Sequence, residues 1–211
     1  MNLSFYYWWF KAALPERICD EILEFGKSTE NEEAWTGGKL IGEEHTPKEL
    51  DVVKRKRISK VSWLNESWIY KELHPFVHEA NRRAGWNFEW DQSEKIQFTK
   101  YDEGHFYSWH SDSFPKPYDG KKGDTLNGKI RKLSVTVSLS NPDEYDGGNL
   151  EFDFRNGKDY EFDKSNFDLC TEIRPKGSII VFPSFVWHRV TPITRGTRHS
   201  LVTWNCGQPW R

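Results

Sequence analysis

The stretch Lys132-Leu133-Ser134-Val135-Thr136-Val137-Ser138-Leu139 reads as a β-strand, and similar short runs recur along the second half of the chain. They cover 95–100, 105–110, 150–154, 178–182, 186–191 and 199–205, with Asp119-Gly120, Asp146-Gly147-Gly148 and Pro175-Lys176-Gly177 between them as turns. Many short strands separated by Gly/Pro turns predict a sandwich or barrel. Upstream, Leu14-Pro15-Glu16 opens a helix with Ile18, Ile22, Leu23 and Phe25 on its apolar face. A second helix is expected from Ser67 to Arg83, burying Trp68, Ile69, Leu73, Phe76, Val77 and Ala80, with a kink or interrupted turn at Pro75. Between them, 34–50 (with Gly37-Gly38 and Gly42) reads as an irregular loop, and Ile58 to Trp63 alternates like a strand. The expected fold is mainly β with flanking helices: a double-stranded β-helix (jelly roll) core with N-terminal α-helices packed on one sheet. A single domain is expected over 1–211, with 1–90 as a helical support region and 91–211 as the jelly-roll core.

Bulk properties narrow the function. A formal net charge of −2 over 211 residues gives no field favouring nucleic acid or an anionic membrane. The basic run Lys54-Arg55-Lys56-Arg57 is expected to be a solvated face. Cys19, Cys170 and Cys206 are few, odd in number and widely spaced, which suits reduced thiols. The aromatic start, Tyr6-Tyr7-Trp8-Trp9-Phe10, lacks the basic and aliphatic regions of a signal peptide, and no run reaches the roughly 18 apolar residues of a membrane span. A soluble, cytoplasmic protein is expected, with neither nucleic acid nor membrane as partner.

The chemistry lies in a spaced set of ligands. His110-Ser111-Asp112 on a strand would turn both ligating side chains to one face, and His188 would arrive from a strand remote in sequence. Two imidazoles and one carboxylate form the facial triad of non-haem Fe(II) oxygenases. Three protein ligands leave three octahedral positions, which a bidentate 2-oxo acid and dioxygen require. Arg198, ten residues after His188, offers a planar, permanently charged fork for the far carboxylate of such a co-substrate. The long connection from Ser113 to Lys129 reads as a lid over a peptide. Other histidines are expected to be structural: His74 and His78 on the second helix, and His199, which alternation turns away from its neighbours Arg198 and Ser200. Gly147-Gly148 reads as a turn or bulge.

From about Lys95 to Trp204 the sequence resembles the prolyl 4-hydroxylase branch of the Fe(II)/2-oxoglutarate dioxygenases, including small bacterial and viral members. The stretches that carry the likeness are Tyr101-Asp102-Glu103-Gly104, His110-Ser111-Asp112, Leu133 to Leu139, Tyr145-Asp146-Gly147-Gly148, Pro175-Lys176-Gly177-Ser178, Phe182-Pro183, His188-Arg189-Val190-Thr191-Pro192 and Gly196-Thr197-Arg198. The resemblance implies His110, Asp112 and His188 as iron ligands and Tyr101 and Arg198 on 2-oxoglutarate. Tyr107, Arg131 and Trp204 fall where relatives contact the substrate proline. Ser138 stands at a co-substrate position where relatives often carry other residues, as does Leu150. Fe(II), 2-oxoglutarate and O2 follow as requirements, with ascorbate as a further candidate. The implied reaction oxidises 2-oxoglutarate to succinate and CO2 while hydroxylating a peptide or protein proline, in a bacterial or virus-infected host cell.

Three other readings stand beside this one. The same chemistry could serve another side chain, a free amino acid or a small molecule. A nucleic-acid demethylase would carry a second arginine six residues beyond the first, where this chain has Trp204. A non-catalytic jelly-roll binding module would have no need of an intact triad with its arginine.

Overall fold

The computed structural model describes residues 3–30, 32–34, 54–113, 116–121, 123–154 and 167–210. In chain order the first half contains β1 (Trp8–Phe10), α1 (Glu16–Ser28), β2 (Glu32–Glu33), β3 (Arg57–Ile58), β4 (Lys60–Leu64), α2 (Ser67–Arg83) and β5 (Gln92–Ser93). Then come β6 (Ile96–Tyr101), β7 (Phe106–His110), β8 (Ile130–Ser138), β9 (Tyr145–Gly147), β10 (Leu150–Asp153) and β11 (Phe167–Leu169). The last four strands are β12 (Ile179–Pro183), β13 (Trp187–Val190), β14 (Ile193–Gly196) and β15 (Arg198–Gly207). The expected loop over 34–50 lies almost wholly outside the described residues.

The strands form a major sheet in the order β1-β12-β8-β15-β6-β4-β2, with β5 also on β15, and a minor sheet β11-β10-β13-β7-β3. A short β14-β9 ladder forms a third, two-stranded sheet. Neighbours are antiparallel and mostly remote in sequence, which is how a jelly roll brings distant ligands together. The seven strands expected from the sequence are β6, β7, β8, β10, β12, β13 and β15. The region before residue 91 supplies strands as well as helices: β1 extends the major sheet beside β12, β4 pairs with β6, and β3 pairs with β7 in the minor sheet.

Both helices cover the major sheet. α2 buries Ile69, Leu73, Val77 and Ala80 at helical spacing in the cluster that also holds Leu133, Val135, Val137, Ile179, Val181 and Leu201. The helix runs without interruption through Pro75. Pro75 is solvent-exposed, so water can satisfy the carbonyl that loses its helical partner. On α1, Ile18 and Ile22 are buried, and Gly26 leaves room for Phe98, whose ring would come within 2.4 Å of an added Cβ. His74 and His78 pack on Trp90, at ring separations of 5.2 and 4.7 Å. The three cysteines are buried and free. Among the described residues no helix is long and apolar enough to cross a membrane.

His199 stacks on Phe98 at 5.6 Å, as a structural residue would. Burial, then Lys27 and Lys100, push its pKa down to about 4 against the smaller opposing pull of Asp102 and Glu144. The unfolded chain takes up this proton near its ordinary value, about 6.5. Stability from a neutral His199 is therefore complete above that value and is lost as pH falls towards 4, by at most about 1.4 kcal/mol per pH unit. Urea unfolding of wild type and His199→Gln at pH 7.5 and 5 checks this. The variant should lose less stability on acidification, and equal losses would refute it.

Candidate active site

A cavity of about 290 Å³ lies against residues of both sheets, and the expected ligands meet on its wall. β13 pairs with β7 so that His188 stands opposite His110. Their rings are 4.1 Å apart. Asp112 follows the end of β7 rather than continuing it. Its position is set by its backbone N–H, which donates to Ser184 O at 2.9 Å, not by strand alternation. His110 Nε2 lies 3.7 Å from Asp112 Oδ1, and His188 Nε2 lies 3.7 Å from Oδ2. One ligand atom from each residue lies within 4.8 Å of the others, the only such group of three among the described residues.

The surroundings prepare these atoms for a metal. His110 Nδ1 donates to Ser108 O at 2.8 Å and His188 Nδ1 to Val186 O at 3.0 Å. With Nδ1 protonated on both rings, each Nε2 keeps its lone pair for coordination. Burial, reinforced by the neighbouring His188, pushes the His110 pKa down to about 3, so the ring is neutral at ordinary pH. Burial opposes ionisation of Asp112, but His188, His110, Arg131 and a Ser134 hydrogen bond outweigh it and hold the carboxyl at about 2. Ser134 Oγ donates to Asp112 Oδ2 at 2.7 Å, and Ser184 Oγ, 2.9 Å from Ser134 Oγ, can donate to Ser134 in turn. Two imidazole nitrogens and an ionised carboxylate, each oriented from behind, fit Fe(II).

Arg198 is the largest fully buried side chain of the chain's described part. It stands on β15 opposite Tyr101, its Cζ 5.6 Å from that ring. Its Nη1 reaches Ser200 Oγ at 3.4 Å, its Nε is buried without a partner, and no carboxylate among the described residues pairs with it. An unpaired buried guanidinium costs several kcal/mol. A dianionic co-substrate removes that cost, so the residue fits 2-oxoglutarate as the triad fits iron. Gly148, at φ +59°, makes room here: an added Cβ would lie 3.1 Å from Arg198 Cδ and 2.4 Å from Ile193 Cδ1. The Gly147-Gly148 turn thus has a second task that its sequence did not disclose.

Tyr101, Tyr107, Arg131 and Trp204 all line the same cavity, and Ser138 does not. Ser138 is buried, with its hydroxyl 3.4 Å from Ser140 O. Tyr107 stacks on the His110 ring at 3.5 Å. Arg131 is gripped by Glu94, whose two oxygens accept from Nε and Nη2 at 2.6 Å each, and lies 3.8 Å from the Trp204 ring. Its charge is therefore answered within the protein. Among the described residues from Ser113 to Lys129 none lines the cavity, and Tyr118 instead donates to Glu94 at 2.6 Å. Sequence reading overlooked Ser134, Ser184, Glu94 and Arg57. Serines in strands and turns carry no local signal, and Glu94 is 37 residues from the arginine it holds.

A jelly roll with a His-Asp-His triad and a buried, unanswered arginine in one cavity defines the class of Fe(II) oxygenases that use a 2-oxo acid. The sequence profile of the 2OG-Fe(II) oxygenase superfamily matches residues 96–206, and the chain belongs to that superfamily. Membership implies Fe(II), 2-oxoglutarate and dioxygen. A PKHD-type hydroxylase of Bordetella pertussis is 33% identical over 107 residues, 51% of this chain and 41% of the relative. One from Xanthomonas axonopodis pv. citri is 28% identical over 142 residues, 66% of this chain and 57% of the relative. The match thus spans about half the length of these relatives. The fold is shared with a viral collagen prolyl hydroxylase from Paramecium bursaria Chlorella virus-1, solved with 2-oxoglutarate (TM-score 0.62, 17% identity, 97% of each chain). It is also shared with a Pseudomonas putida prolyl-4-hydroxylase (TM-score 0.61, 16% identity, 98% of this chain and 95% of the other).

Proposed function

We propose that this chain hydroxylates proline in a peptide or protein substrate, consuming 2-oxoglutarate and dioxygen and releasing succinate and CO2. The observation that carries the oxygenase reading is the buried Arg198 guanidinium, without an anion among the described residues, on the cavity that holds the triad. Proline as target is supported by the prolyl hydroxylases that share the fold, one of them from Trichoplax adhaerens in complex with a hypoxia inducible factor peptide. The aromatic lining of Tyr107, Trp63 and Trp204 suits an apolar ring beside the metal ligands.

Bound by His110, Asp112 and His188, Fe(II) supplies the oxidising chemistry that converts a C–H bond to C–OH at the expense of 2-oxoglutarate. The protein's own part is positioning. Arg198 holds the distal carboxylate of the co-substrate through its free N–H groups, with the Tyr101 hydroxyl on the same wall as a second donor. Burial pushes the Tyr107 phenol up to about 12, so it stays neutral and can donate a hydrogen bond to substrate. The Arg131–Glu94 pair fixes the Trp204 ring, which orients a proline by its face. Apolar walls from Leu150, Phe182, Val190 and Val202 keep water from the reacting carbon.

The test is succinate formation by anaerobically Fe(II)-loaded protein given 2-oxoglutarate and oxygen, with and without proline-rich peptides. Peptide-dependent succinate with the gain of one oxygen atom on proline is expected. Turnover that no peptide stimulates would overturn proline as the target, and absence of turnover despite bound iron would overturn the oxygenase reading.

A further inference from the structure

Three guanidiniums line the cavity, and two of them are accounted for. Arg131 is neutralised by Glu94, and Arg198 is assigned to the distal carboxylate of the co-substrate. The third is Arg57. It lies on β3, in register with Tyr107 of β7, and is only 6% exposed. Its Nε donates to Ser59 Oγ at 2.8 Å, while its Nη2 is buried with no hydrogen-bond partner among the described residues. No carboxylate among the described residues forms an ion pair with it. Its Cζ sits 4.6 Å over the Tyr107 ring, and Tyr107 is itself stacked on the ligand His110.

The other side of Arg57 borders a second cavity of about 230 Å³, whose described lining includes Lys54, Lys60, His105 and one carboxylate, Glu33. His105 Nδ1 is also buried without a hydrogen-bond partner among the described residues. A basic run that reads as a solvated face therefore delivers one of its arginines to the cavity wall, with cations behind it. A buried cation without a counter-charge among the described residues is an uncompensated cost, which an anionic ligand entering the cavity would remove. The guanidinium fork matches a carboxylate, and Tyr107 fixes its plane. An anion held there would lie one aromatic ring from an iron ligand.

We propose that Arg57 is a specificity-determining residue that binds a carboxylate of the substrate, so that a target carrying an acidic group beside the hydroxylated ring is preferred over its neutral counterpart. This rests on the oxygenase reading above. The carboxylate has two sources: an acidic side chain next to proline in a peptide, or the α-carboxylate of the free amino acid.

The experiment compares three probes on the Fe(II)-loaded protein: a blocked hexapeptide with Asp beside proline, the same peptide with Asn in place of Asp, and free L-proline. Wild type should favour the Asp peptide over the Asn peptide in kcat/KM by about 10–100-fold, the range of one charge-assisted hydrogen-bonded pair. In Arg57→Met the ratio should collapse towards one, with Arg57→Lys between. Turnover of L-proline that Arg57→Met selectively loses would support the proposal with the α-carboxylate as source. Equal turnover of the two peptides by wild type, with L-proline untouched, would overturn it.

A second readout is independent of turnover. Arg57→Met should raise Tm by removing an unpaired buried charge, and the Asp peptide should raise the Tm of wild type but not of the variant. A Tm lowered by the substitution, or the same peptide shift in both proteins, would overturn the proposal even if the oxygenase reaction is confirmed. If no probe is turned over while the Tm pattern holds, the fault lies with the reaction assigned, not with the carboxylate site.

Discussion

Asp112→Ala should abolish turnover and Fe(II) binding together. Asp112 is the only carboxylate in the ligand group and the bridge between the two imidazoles, 3.7 Å from each Nε2. Without it the site offers two imidazole nitrogens and no negative charge to set against a divalent cation. The substitution should not unfold the chain: Ser134 and Ser184, 2.9 Å apart, can hydrogen-bond to one another once the carboxylate is gone. Ser134→Ala is the graded control, since removing a partner that orients a ligand costs roughly 10–100-fold in metal affinity or activity. Anaerobic Fe(II) titration followed by succinate assay measures both. The order expected is wild type, then Ser134→Ala, then Asp112→Ala at background, with near-UV circular dichroism unchanged. Residual turnover of Asp112→Ala near the wild-type level would remove Asp112 from the ligand set.

How much of this was legible in the sequence depends on whether the signal was local. The strands β6, β7, β8, β10, β12, β13 and β15 could be read because each lies in a run of apolar and β-branched residues bounded by its own turns. The β9 and β14 pair could not, since Tyr145–Gly147 and Ile193–Gly196 each carry one buried apolar residue followed by one or two polar residues and a glycine, with no apolar run to read. The triad was legible from types and order, but the reason Asp112 faces the histidines was not. Alternation along a strand predicts the right direction, yet Asp112 has left the strand and is placed by Ser184 O and Ser134 Oγ, 72 and 22 residues away. Long-range partners also decided the arginines. Arg131, a candidate substrate contact on the cavity wall, has its charge met by Glu94, and Arg57, read as part of a solvated face, is brought to that wall by the pairing of β3 with β7. A sequence gives the charge of a side chain at once, whereas its counter-charge is a property of topology.

Those counter-charges make Arg198 the most consequential of the three. Arg198→Met should raise the KM for 2-oxoglutarate by about 30- to several-thousand-fold, the range for losing one partner of a buried charge pair. Arg198→Lys should recover only part of the loss, because an ammonium restores the charge but not the two-pronged geometry. The substitution should act in the opposite sense on the protein alone. Nε of Arg198 has no partner and the guanidinium no carboxylate among the described residues, so methionine removes an uncompensated charge from an interior position and Tm should rise. Adding 2-oxoglutarate should then raise the Tm of wild type, by mass action on the folded state, and leave that of Arg198→Met almost unmoved. Fe(II) affinity should stay close to wild type in both variants, which separates this arginine from the triad. If Arg198→Met instead lowered Tm and left the KM for 2-oxoglutarate unchanged, Arg198 would be a structural residue and the co-substrate would be anchored elsewhere in the cavity.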